Sequence, residues 1–156
     1  MKINCDGAYS DKLKLGLVVF VVRDHTGVLV DGKISFYSCS SPIMVEAKVI
    51  YDASVLAASC IFSPVIIESG KVVLDAISLE ASLLPWDIYG IIDAIRDVAR
   101  KVPSISYSFM YIEANEIAHW VASNANFGSL PLDWIFRPPP ALSRLLLRDL
   151  DTQGIG

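Results

Sequence analysis

The chain has 156 residues, the length of one domain, and can bury a core without disulfide or metal staples. Hydrophobic residues make up 53% and charged residues 19%, which excludes intrinsic disorder and predicts a thick core, a partner-covered surface, or both. Thirteen Lys and Arg against 17 Asp and Glu give a formal charge of −4, which excludes a broadly basic nucleic-acid-binding face and leaves only a local or cation-mediated one.

The first third reads as strands. Ile3 to Ala8 is a short one, followed by the polar turn Ser10-Asp11-Lys12. Leu15 to Arg23 is β-branched and almost entirely apolar, as expected of a strand covered on both faces. Asp24-His25-Thr26-Gly27 makes a turn, and Val28 to Tyr37 continues as a third strand, so the three form an antiparallel meander. From Pro42 to Phe62 the apolar residues recur at helical spacing, with Pro42 suited to a first turn. Pro64 to Glu68 is a fourth strand and Lys71 to Leu79 a second helix. After Pro85 the stripe Ile88, Ile91, Ile92, Ile95 and Val98 predicts a third helix, closed by Pro103. Ile105 to Ile112 reads as a fifth strand and Glu116 to Asn124 as a helix.

The expected order βββαβααβα makes an α/β domain, a five-stranded mixed sheet with helices on both faces, over residues 1–127. Residues 128–156 form a Pro- and Leu-rich tail: a linker-like stretch from Gly128 to Pro140 that contains Trp134, then the leucine-rich stretch Leu142 to Leu150. This tail either packs back on the domain or serves as a docking segment.

Cys5, Cys39 and Cys60 are an odd number without a CxxC pair or a His-Cys cluster, which points to reduced thiols. No secretory signal follows Met1, and the longest apolar runs are too short to span a bilayer. A soluble intracellular protein is expected, nuclear or cytoplasmic, with no membrane partner.

Two carboxylates stand out. Asp6 lies within a strand whose neighbours belong in a core; it is either a solvent-facing edge residue or a charge that needs a partner or a metal. Glu46 sits near the start of an apolar helix and is either a first-turn acid complementing the helix dipole or a ligand. His119 can be a surface residue beside Trp120, a transition-metal ligand, or a proton carrier.

Four stretches in order carry a resemblance: Asp6-Gly7-Ala8, Val45-Glu46-Ala47, Ile66-Ile67-Glu68-Ser69, and Glu113-Ala114-Asn115-Glu116-Ile117-Ala118-His119-Trp120-Val121-Ala122. With them the chain resembles the ribonuclease H type 1 domain, in the branch found in plants and beside the reverse transcriptases of retroelements. The resemblance implies endonucleolytic cleavage of the RNA strand of an RNA–DNA hybrid, through two Mg²⁺ (or Mn²⁺) ions held by four acids. Asp6 and Glu46 match two of them and are the expected metal ligands. Gly70 and His119 stand where the other two belong. Asp6, Glu46 and His119 are therefore the expected catalytic residues of an incomplete site, and Gly7, Ala8, Lys71 and Asn115 the expected nucleic-acid contacts. Ser78 to Asp87 holds no Lys or Arg, so the basic loop of some relatives is missing. The expectation is a nucleic-acid-binding domain with impaired or lost catalysis. The alternatives are an active metal-dependent hybrid ribonuclease with a rearranged site and a non-catalytic module that binds a protein partner or a second copy through its apolar surface.

Overall fold

A strand with apolar side chains on both faces must be covered on both. In the computed structural model, which describes residues 1–60, 64–126 and 128–153, every residue from Gly16 to Arg23 is buried. The strands β1 (Lys2–Ser10), β2 (Leu15–Arg23) and β3 (Leu29–Ser38) form the antiparallel meander. Helix α1 (Pro42–Ser59) leads to β4 (Val65–Ser69), and α2 (Lys71–Ser78) and α3 (Trp86–Lys101) lead to β5 (Ile105–Phe109). Helices α4 (Glu116–Asn126) and α5 (Pro140–Gln153) follow. The sheet order is β3-β2-β1-β4-β5, with β1–β4 and β4–β5 parallel. It is the mixed sheet with helices on both faces that the sequence predicts.

Each face has its own core. Val18, Phe20 and Val22 point with Ile3 and Cys5 toward α1 and α3, where Val49, Ile50, Ile88, Ile92 and Ile95 meet them. Leu17, Val19 and Val21 point the other way, toward Ile117, Ala118 and Val121 of α4 and toward Trp134 and Leu142. Ser41 caps α1, its hydroxyl accepting from the Met44 amide at 3.3 Å, and Pro42 occupies the first turn.

Several boundaries differ from expectation. β1 runs two residues past Ala8, because its pairing with β2 continues to Ser10–Leu15. The fifth strand stops at Phe109 rather than Ile112, since its neighbour β4 ends at Ser69, and a 3-10 turn spans Ile112–Ala114. Helix α1 ends at Ser59; positions 61 and 62, expected to be helical, lie outside the described residues.

In the tail, the linker-like stretch holds Trp134, buried to 5% exposure, and the leucine-rich stretch belongs to α5, with Leu142 in the same core as Trp134. Gly32 of β3 makes room for it: a Cβ there would lie 2.4 Å from the Trp134 ring. Among the described residues no helix is long and apolar enough to cross a membrane.

Candidate functional site

β4 pairs with β1 only from Lys2 to Asn4, so from Cys5 onward β1 has no parallel neighbour and the sheet opens into a cleft of about 570 Å³. Gly7 sets one wall. A Cβ at that position would meet Val45 Cγ1 at 2.7 Å, so its absence lets α1 lie directly on β1. That packing carries Glu46, the next residue of α1, to the Asp6 end of the strand. Because α1 begins at Pro42, Glu46 falls in its second turn, which removes the reading of a first-turn acid.

Asn115 sets the opposite wall. Its Nδ2 donates to the Cys5 carbonyl at 2.7 Å, while its own carbonyl accepts from the His119 amide. The start of α4 is thereby tied to β1, and His119, one turn on, stands with Nδ1 3.2 Å from Asp6 Oδ2. Asp6 Oδ1 accepts from the Gly7 amide at 2.9 Å, so that donor is engaged within the chain. Burial raises the Asp6 pKa, opposed by the Gly7 amide and by His119. Burial, and then the nearby Asp6 charge, raise that of Glu46.

The cleft thus gathers Asp6, Gly7, Glu46, Gly70, Lys71, Asn115 and His119. Ala8 is exposed but is not part of the lining. Lys71 reaches the rim with its ammonium 2.8 Å from Asp75 on the same helix face, and is a paired charge. Gly70 starts α2 facing the carboxylates, and a Cβ built on it would be 3.8 Å from Glu46 Oε2. Glu68, two residues earlier, does not line the cleft. It accepts from Asn4 Nδ2 at 2.7 Å and pairs with Lys2 at 3.2 Å, while Arg23 donates to the other side of Asn4. Glu68 is therefore committed elsewhere and does not replace the acid missing at position 70.

The sequence reading missed part of the rim: Phe109, Met110, Tyr111 and Glu113 also line the cleft. Phe109 and Tyr111 stand exposed, edge to face, with centroids 4.7 Å apart. They were hidden inside a strand read three residues too long. Asn115 Oδ1 is buried and has no hydrogen-bond partner among the described residues.

Hard divalent cations require several oxygen ligands each. Here Asp6 and Glu46 are the only carboxylates of the expected four, and among the described residues no three His, Cys, Asp or Glu side chains form a metal-binding group. The residues present do not fit a pair of such ions.

Among solved structures the chain is similar to three ribonuclease H domains. For RNase H1 from the halophilic archaeon Halobacterium salinarum NRC-1 the TM-score is 0.62 at 16% identity, covering 81% of this chain and 97% of that one. For the N-terminal RNase H domain of a Mycobacterium tuberculosis protein it is 0.68 at 14% identity, over 82% and 95%. For LC11-RNase H1, isolated from compost and solved in complex with an RNA/DNA hybrid, it is 0.65 at 12% identity, over 83% and 99%. At these identities the likeness shows the fold. No curated protein matches by sequence. The family model described as reverse transcriptase-like matches residues 4–125, from the buried Asn4 beside the cleft to the end of α4, and the chain belongs to that family, on a ribonuclease H fold.

Proposed function

We propose that the cleft binds nucleic acid of the RNA–DNA hybrid type and that hydrolysis in it is impaired or absent. One observation carries this reading: position 70, whose side chain would point at Glu46 from 3.8 Å, is a glycine. Hydrolysis of a phosphodiester needs an activated water and a stabilised leaving oxygen, and in this fold family both depend on divalent metals held by carboxylates. Each carboxylate removed weakens the attraction for a dication at short range.

Binding asks less of the site. Family membership and the hybrid complex of LC11-RNase H1 support the substrate class. Asn115, held against β1 by its hydrogen bond to the Cys5 carbonyl, fixes the α4 wall along which a strand would lie. His119 Nδ1 lies 3.2 Å from Asp6 Oδ2 and engages one of the carboxylate oxygens that an incoming phosphate would otherwise meet. The same contact favours a second reading, an active enzyme with a rearranged site in which Asp6 and His119 would hold Mn²⁺, since imidazole suits softer metals than Mg²⁺. We place the protein inside the cell, where its three unbonded cysteines stay reduced.

Cleavage of a labelled hybrid in Mg²⁺ and in Mn²⁺ tests the proposal with wild type, Asp6→Asn and Gly70→Asp. The expected result is a wild type no faster than Asp6→Asn, and a gain of cleavage in Gly70→Asp. Wild-type cleavage abolished by Asp6→Asn overturns the impaired site in favour of the rearranged one. Absence of hybrid binding by wild type overturns the substrate class and leaves a protein-interaction role, for which the exposed Trp86, Leu132 and Phe136 are the first residues to probe.

A further inference from the structure

The cleft does not end at His119. Glu113 lines both the cleft and a second cavity, of about 260 Å³, along the seam between α4 and α5. Leu145 and Arg148 line that cavity and also a third, of about 420 Å³, whose other walls are Trp120, Ala141 and Arg144. The three hollows thus follow one another, the first two sharing Glu113 and the last two Leu145 and Arg148, on a path that ends beside Trp120, Arg144 and Arg148. Trp120 follows His119 directly and is turned about 100° around α4, so one helix presents one residue to each end of the path.

The charges along the path change sign. Near the cleft they are Glu113, Glu116 and Asp149, with Arg148 paired to Glu116 and Arg23 to Asp149. At the far end the charged groups are Arg144 and Arg148 alone. Arg144 is exposed and forms no ion pair among the described residues. That sets it apart from Lys14, Lys71, Arg100 and Lys101, each of which faces an acid of its own element or turn. Lys12, Lys48 and Arg96 likewise form no ion pair among the described residues, Lys48 lying over the Tyr37 ring; at the α4–α5 seam, on a chain with a net charge of −4, Arg144 offers a polyanion uncancelled positive charge beside Trp120.

A guanidinium offers a planar fork of donors to a phosphate, and an indole offers a face to a base. Inside a duplex both faces of each base are covered by its neighbours, so away from a duplex end it is an unpaired nucleotide that can use the indole. We propose that the Trp120–Arg144–Arg148 end of the α4–α5 seam is a subsite for an unpaired nucleotide of a strand leaving the cleft, its phosphate on Arg144 and its base against Trp120. The proposal rests on the reading of the cleft as a hybrid-binding site.

Fluorescence anisotropy on the intact chain tests it, with a short blunt RNA–DNA hybrid and the same hybrid carrying a single-stranded RNA overhang at either end of the RNA strand. The overhang is expected to tighten wild-type binding about tenfold. Arg144→Ala should remove most of that gain and lower the slope of log affinity against log salt by about one, while leaving blunt-hybrid binding in place. Trp120→Phe should keep the gain and Trp120→Leu should lose it. An overhang without effect on wild type, or an undiminished gain in Arg144→Ala, overturns the subsite. Overhang binding without blunt-hybrid binding upholds the subsite and overturns the cleft as a hybrid site; blunt-hybrid binding without an overhang gain does the reverse.

Discussion

A side chain added at residue 70 would begin 3.8 Å from Glu46 Oε2, although the two residues belong to different helices and are 24 positions apart. A Cβ there makes only an ordinary van der Waals contact, so Gly70→Asp brings its side chain in beside the carboxylates. In metal-free buffer the new charge repels Asp6 and Glu46, and the melting temperature is expected to fall by about 2–4 °C, roughly 1 kcal/mol. Added Mn²⁺ should reverse the fall, and calorimetry should detect binding that wild type lacks. A variant equally stable with and without metal would show that the three carboxylates do not converge.

Glu46 itself works against folding at neutral pH. Burial and the Asp6 charge raise its pKa above the ordinary carboxylate range, so the folded chain holds its proton more tightly than the unfolded chain. The favourable contribution of that proton is full below the unfolded value and is lost as pH rises through the folded one. Glu46→Gln should therefore raise the melting temperature at pH 7 by about 1–2 °C and give no gain near pH 4. Thermal melts in chelator at the two pH values measure this. A loss of stability at pH 7 would mean that the carboxylate has a favourable partner.

Arg23 is the most deeply buried cation of the chain, 3% exposed, and its partners lie at both ends of the sequence. It donates to Asn4 beside the cleft and forms an ion pair with Asp149 of α5. Asp149→Ala should cost about 2–3 kcal/mol, below the full cost of breaking a buried pair because Asp149 is partly exposed. Chemical denaturation provides the number. Replacing both residues with apolar ones should recover much of the loss, since no uncompensated charge then remains.

Gly32→Ala tests the docking of the tail. Its Cβ would enter the Trp134 ring, which must shift from its place between β3 and the tail, and a loss of about 1–3 kcal/mol is expected. A reduced melting temperature together with greater exposure of Trp134 to a soluble quencher confirms it. An unchanged protein would show that the indole does not rest on β3.

The sequence determined on its own whatever depends on near neighbours along the chain. The apolar run of β2, the turns of the meander and the isoleucine stripe of α3 are periodic patterns, and periodicity reports which face an element buries. The acids at positions 6 and 46, the glycine at 70 and the histidine at 119 were legible in the same way, as residue types in motifs whose order resembles one family.

Only the tertiary structure decided which groups meet. Glu68 turns to Asn4 and Lys2 because parallel pairing sets it beside β1 two residues short of Asp6. The fifth strand ends at Phe109 because its partner there, Ser69, is the last residue of β4. The tail becomes part of the core because β3 leaves a gap at Gly32 that Trp134 fills. Trp120 and Arg144, far apart in sequence, come to one groove because α5 lies along α4. Each outcome depends on strand register or on the docking of one element against another. Those are contacts between distant segments, and the local pattern of either segment does not contain them.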